Sequence, residues 1–136
     1  MIASKKSGFS LVELTIVVVI LGILATFAVP RFMTSVEKTK ASEAFTYLTQ
    51  VESAQARYSA EHGKYSKKTN KLDIDLDRPE FFSVGTIVSS NWETTWELTL
   101  TRNGASSGYG RYTVVFSEDG YSKTKSTIDR DLAPAL

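Results

Sequence analysis

Few residues in this chain combine a reactive type with a telling spacing. Glu13 is the one charged side chain in an apolar run from Phe9 to Pro30. A carboxylate placed there costs about 2.5–3.5 kcal/mol on insertion scales unless something offsets it. If the chain is cut between Gly8 and Phe9, the freed amine of Phe9 lies one helical turn from Glu13 and offers the opposite charge. Pairing between copies suits the geometry better than pairing within one, because a helix N-terminus aims its own free N–H groups away from Glu13. Asp73, Asp75 and Asp77 alternate as D-x-D-x-D, a spacing that suits calcium. An EF-type loop counted from Asp73, however, needs glycine where Arg78 stands and glutamate where Val84 stands. Leu72, Ile74 and Leu76 alternate with the aspartates, so a short extended segment with one face down explains the pattern more simply, and the metal candidate rests on spacing alone.

Other reactive types lead to structural roles. His62 is the one histidine and the chain has no cysteine, which leaves neither a zinc cluster nor a nucleophile pair; beside Gly63, it suits a cation at a helix C-terminus. Tyr109, Tyr112 and Tyr121 with Arg111 could stack on single-stranded nucleic acid, yet alternating aromatics in a half-buried sheet serve as core. The glycines Gly104, Gly108 and Gly110 fall between strands, where turn chemistry accounts for them without a phosphate loop. A net charge of +1 gives no sign of a dedicated polyanion binder. The chain is therefore expected to be no enzyme, to need no cofactor and to have no nucleic-acid partner.

The elements that carry these residues start with the apolar run itself. Its 22 residues from Phe9 to Pro30 are enough, at about 1.5 Å per residue, to cross a hydrocarbon layer of about 30 Å. Lys5 and Lys6 precede it and hold that end in the cytoplasm by the positive-inside rule. Three fates are open on the residues alone: a secretory signal cut after Thr26-Phe27-Ala28, a retained anchor, or a segment cut after Gly8. The first has too long an apolar stretch and Pro30 too close behind the cut, and neither of the first two explains Glu13.

From Arg31 the pattern turns amphipathic. Ala41, Ala44, Leu48, Val51, Ala54 and Tyr58 recur at helical spacing, with Glu37, Lys38, Lys40, Glu43, Glu52 and Arg57 on other faces. One helix is expected from Phe9 to His62, kinked near Pro30, weakened at Gly22 and ended by Gly63. Residues 63–79 read as a polar surface connection. Strands are expected at Phe81–Ser89, Thr94–Arg102, Tyr109–Ser117 and Tyr121–Ile128, followed by a short tail from Asp129. The fold class is thus α+β: a long N-terminal helix whose C-terminal half packs on a three- to four-stranded antiparallel meander. The expected core holds Leu48, Val51, Trp96, Leu98, Val114 and Phe116.

The stretch Gly8-Phe9-Ser10-Leu11-Val12-Glu13, after a short lysine-bearing leader and before the run ending Ala28-Val29-Pro30, resembles the N-terminal signature of type IV pilins and pseudopilins. The resemblance covers residues 1–32 by motif and the helix to about residue 62 by architecture. It implies a leader at residues 1–8, a transmembrane and filament-core segment at 9–30, and a globular headgroup at 31–136. It also implies cleavage after Gly8 by a prepilin peptidase, methylation of the Phe9 amine and polymerisation through the helices, with Glu13 pairing with a neighbour's Phe9. Implied partners are identical or homologous subunits, the peptidase, an inner-membrane assembly platform and, before assembly, lipid. The implied location is the bacterial inner membrane, then a surface filament. The rivals are a periplasmic type II secretion pseudopilin, favoured by the missing cysteines and disfavoured by the poor calcium loop, and an anchored binding module that never polymerises.

Overall fold

The computed structural model describes residues 8–75, 77–104 and 108–135. The chain divides into two compact units, one up to Met33 and one from Thr34 onward. Helix α1, Leu11–His62, supplies residues to both. In the first unit, Gly22 and Pro30 are both helical, although proline removes one N–H donor from the turn it occupies.

In the second unit, Ala41, Ala44, Leu48, Val51 and Ala54 are fully buried, as their spacing predicts. Gly63 ends α1 with φ 70° and donates its N–H to the Ser59 carbonyl at 2.8 Å; only glycine takes this left-handed geometry at little cost. Four strands follow: β1 Phe82–Val84, β2 Glu97–Arg102, β3 Thr113–Ser117 and β4 Gly120–Tyr121. They form one antiparallel sheet in the order β1-β2-β3-β4, the expected meander. Leu98, Leu100, Val114 and Phe116 face Leu48 and Val51 of α1 within one core. Phe45 of α1 meets the rings of Phe116 and Tyr121 edge-on at 6.0 and 5.0 Å. Burying each such side chain contributes about 1.5–3 kcal/mol, which is what joins helix to sheet.

The strands are shorter than their patterns predict, and polar side chains account for most of the difference. β1 stops before Gly85, where a Cβ would lie 2.8 Å from the Thr99 carbonyl oxygen, and only the bridge between Val88 and Glu97 resumes the pairing. Before β2, the Asn91 carbonyl accepts from the N–H groups of Thr94 and Thr95 at 3.1 and 2.8 Å, and the Asn91 side chain accepts from Glu93 N–H. A turn therefore replaces the expected strand start at Thr94. The last expected strand, Tyr121–Ile128, ends at Tyr121. Beyond it, hydroxyls stand in for backbone: Val115 N–H donates to Ser126 Oγ at 2.9 Å and Thr113 N–H to Thr127 Oγ1 at 2.8 Å. Ser122 and Thr127 return N–H bonds to the carbonyls of Val115 and Thr113.

The connection after α1 is anchored from below. Gln55, fully buried, donates to the Ser66 carbonyl at 2.9 Å and accepts from Ser66 N–H at 2.8 Å. Leu72 is buried and Ile74 half-buried, as the alternation predicts; Leu76 lies outside the described residues. Glu43 of α1 accepts from the N–H groups of Glu80 and Phe81 at 2.8 and 3.1 Å, fixing the approach to β1.

Candidate functional site

Every residue from Gly8 to Met33 is exposed, and the large apolar side chains between Phe9 and Met33 are 43% to 91% exposed. This part of α1 is long and apolar enough to cross a membrane. Its threonines are turned inward on their own backbone. Thr15 donates to the Val12 carbonyl at 2.8 Å and Thr26 to the Ile23 carbonyl at 2.6 Å, so neither hydroxyl presents an unmet polar group to an apolar surrounding.

Glu13 is handled the same way. Its Oε2 accepts from Ser10 N–H at 2.8 Å, while Ser10 Oγ accepts from Glu13 N–H at 3.2 Å. This reciprocal pair is a capping box, with Ser10 as the N-cap and Glu13 three residues on. The cap adds a local partner for the acid beside any amine, since two of the helix's free N–H groups already bind it or its partner. Ser10 is the site residue that the spacing argument missed, although S-x-x-E before an apolar run is visible in the sequence. Glu13, with Phe9, Leu14, Ile16 and Val17, also borders a hollow of about 430 Å³.

Residues 3–29 match the prokaryotic N-terminal methylation motif. The chain is 39% identical over 74 residues, 54% of this chain and 34% of the relative, to the type IV major pilin protein PilA of Myxococcus xanthus (strain DK1622). It is 35% identical over 75 residues, 55% of this chain and 52% of the relative, to the type II secretion system core protein G of Aeromonas hydrophila. It is 33% identical over 69 residues, 51% of this chain and 42% of the relative, to the type IV major pilin protein PilE1 of Neisseria gonorrhoeae. The chain resembles the type IV pilin and pseudopilin family. The matched stretches span about a third to about half of those relatives' own length. No solved structure matches the chain. Kinship with this structural, non-catalytic class agrees with a non-enzymatic role.

In the pilin-like head, the charged residues are disposed otherwise than the pattern suggests. Glu37 is not on a wet face: it is 1% exposed, and its Oε1 accepts from Arg102 Nε at 2.7 Å and from the Tyr112 hydroxyl at 2.8 Å. Arg102 also donates to the carbonyls of Phe81 and Asn103 at 3.3 and 2.6 Å, so both buried charges are well bonded. Burial first, and then the Glu37 carboxylate, push the Tyr112 phenol well above its ordinary value. Of the proposed aromatic and basic patch, Tyr112 is thus interior, Tyr121 packs on Phe45, and Tyr109 meets the Thr34 hydroxyl at 3.1 Å. No stacking platform results.

Asp73 is gripped by Arg57, whose Nε and Nη2 reach its carboxylate at 3.2 and 2.9 Å. The guanidinium's hydrogen bonds hold that carboxyl below its ordinary value. Among the described residues, no group of three histidines or acids is placed to hold a metal ion. His62 stacks on Tyr58 with ring centroids 4.0 Å apart, and its Nδ1 lies 3.0 Å from the Tyr58 carbonyl oxygen, as a helix-end residue does.

Proposed function

We propose that the chain is the structural subunit of a type IV pilus-like filament. The observation that carries this reading is the N-terminal part of α1, apolar and exposed on every side, with its one acid five residues after Gly8. The chain starts as a precursor in the inner membrane, its second unit outward. A prepilin peptidase cuts between Gly8 and Phe9, and the new amine is methylated, which preserves its positive charge. An assembly platform then draws the 9–30 segments of many copies into a central bundle, exchanging lipid contacts for helix contacts. Glu13 keeps Ser10 at one oxygen and takes a neighbour's Phe9 amine at the other. Gly22 and Pro30 bound the stretch that loosens when the polymer is pulled; uniform amide protection from Gly22 to Pro30 in the filament would rule that out.

The cap and the ion pair separate by substitution. Glu13→Gln retains an oxygen to accept from Ser10 but loses the charge, whereas Ser10→Ala loses the hydroxyl and keeps the charge. If Glu13 serves assembly, Glu13→Gln is inserted and cut normally yet is lost from filaments, while Ser10→Ala still enters them. Incorporation of Glu13→Gln at the normal level would overturn the role. Sequencing of the mature N-terminus tests the processing: a methylated Phe9 supports it, and Met1 or Val29 contradicts it.

Similarity to the type II secretion system core protein G of Aeromonas hydrophila and of Vibrio cholerae favours a second reading, a periplasmic pseudopilin. Electron microscopy of sheared surface material distinguishes the two, since only a surface pilus leaves long filaments there.

A further inference from the structure

The head carries a hollow of about 280 Å³ that, among the described residues, has three cations on its border, Lys67, Lys68 and Arg78, and no carboxylate. Thr69, Asn70 and Thr86 add hydroxyl and amide groups, and Val84 and Ile87 an apolar wall. Among the described residues the side chains of Lys68 and Arg78 have no hydrogen-bond or ion-pair partner. Lys67 places its ammonium 5.3 Å from the Trp92 ring centroid. Like charges gathered at one place repel one another until an anion joins them. The aspartates of the same connection do not supply it: none borders the hollow, and Asp73 is held by Arg57.

The border is held in place from the core. The Thr69 carbonyl accepts from the N–H of buried Leu72 at 3.1 Å, and Ser66, itself gripped by Gln55, donates its hydroxyl to the Lys68 carbonyl at 2.9 Å. On the other side, Gly85 donates its N–H to the Thr99 carbonyl at 3.0 Å, which fixes the end of β1 to β2. A site so anchored needs little ordering when a ligand arrives.

We infer that this hollow binds one acidic sugar unit of a surface polysaccharide. Arg78 and Lys68 take the carboxylate, Arg78 with the two-pronged geometry of a guanidinium. Thr69, Asn70 and Thr86 bond the ring hydroxyls, and the Val84 and Ile87 wall receives the C–H face of the sugar. A bare phosphate would leave those neutral groups and the wall without a partner. Single-stranded nucleic acid needs an aromatic face on which to stack; among the described residues no aromatic ring borders the hollow, and Lys67 lies over Trp92.

The inference does not depend on polymerisation, and its test uses the full chain in a neutral polyoxyethylene detergent. Trigalacturonate, neutral galactotriose, inorganic phosphate and oligothymidylate are titrated in turn while the backbone amide signals are followed. Trigalacturonate is expected to saturate and to move the signals of Thr69, Asn70 and Thr86, with the other three probes at least tenfold weaker. The double variant Lys68→Gln, Arg78→Gln weakens trigalacturonate tenfold or more at an unchanged melting temperature, because both side chains are exposed. The inference is overturned by absent saturation, by unchanged affinity in the double variant, or by phosphate or oligothymidylate binding as tightly at the same residues.

Discussion

Leu21 and Leu48 belong to the same helix, yet the first is 58% exposed and the second fully buried. Glu13 and Glu37 differ in a parallel way. Glu13 bonds to Ser10, three residues away, whereas Glu37 bonds to Arg102 and Tyr112, 65 and 75 residues away. From Thr34 onward, α1 buries an apolar stripe and the Glu37 carboxylate against the rest of the fold, while hydroxyls such as Thr46 and Ser53 still bond within the helix. Before Met33 the side chains of Ser10, Glu13, Thr15 and Thr26 are met locally, and the apolar groups are left to surroundings the chain does not itself provide. A carboxylate whose cap is built from its own turn keeps its geometry whatever the head does, and one bonded across the fold exists only while the fold does.

That contrast is most exposed to disproof at the two acids. Glu37→Ala strands Arg102 in the interior and should cost the head about 3–5 kcal/mol, measured by urea unfolding in detergent. Glu13→Ala should leave the same transition where it is; a comparable loss would show that the two regions are not independent. The next largest effect compares the leucines: Leu48→Ala should cost about 2–5 kcal/mol, and Leu21→Ala should leave the head transition unmoved.

Tyr112→Phe sharpens the picture further, with an expected loss of about 1–3 kcal/mol from the bond to Glu37. Its pH dependence has a definite sign. Tyr112 holds its proton more tightly folded than unfolded, so its contribution is fully present below about pH 10 and declines as the pH rises beyond it. The gap between wild type and Tyr112→Phe should therefore narrow on the alkaline side in pH-resolved melting curves. The smallest effect belongs to the exposed pair Arg57 and Asp73. The folded-state value of Asp73 is depressed, so the pair contributes above about pH 4 and loses that contribution as the pH falls. Arg57→Ala should differ slightly from wild type at neutral pH and less in strong acid, where only the bond from Arg57 to the Asp73 carbonyl remains.

Residues with local causes were the legible ones. Gly63 ends α1 because one residue type suits one backbone geometry, and the alternation in Trp96, Leu98 and Leu100 placed a face correctly without knowledge of what covers it. Glu37 was not legible: its sequence neighbours are those of a wet helix face, and Arg102 becomes its partner only when β2 docks on α1. Strand ends were obscured by Asn91, Ser126 and Thr127, whose side chains compete for backbone groups in a way that hydrophobic alternation does not record. At the candidate site, Gly8, Phe9 and Glu13 stood out by type and spacing. Ser10 was readable as well, since a cap needs only its own turn.

The hydroxyl bonds of Ser126 and Thr127 along β3 have one further consequence. A sheet ordinarily ends in a row of vacant donors and acceptors on which a foreign strand can template, the starting point of amyloid-type growth. Here the N–H groups of Thr113 and Val115 and their carbonyls are already engaged. This margin of the sheet therefore offers no vacant backbone group at Thr113 or Val115 on which a foreign strand could add.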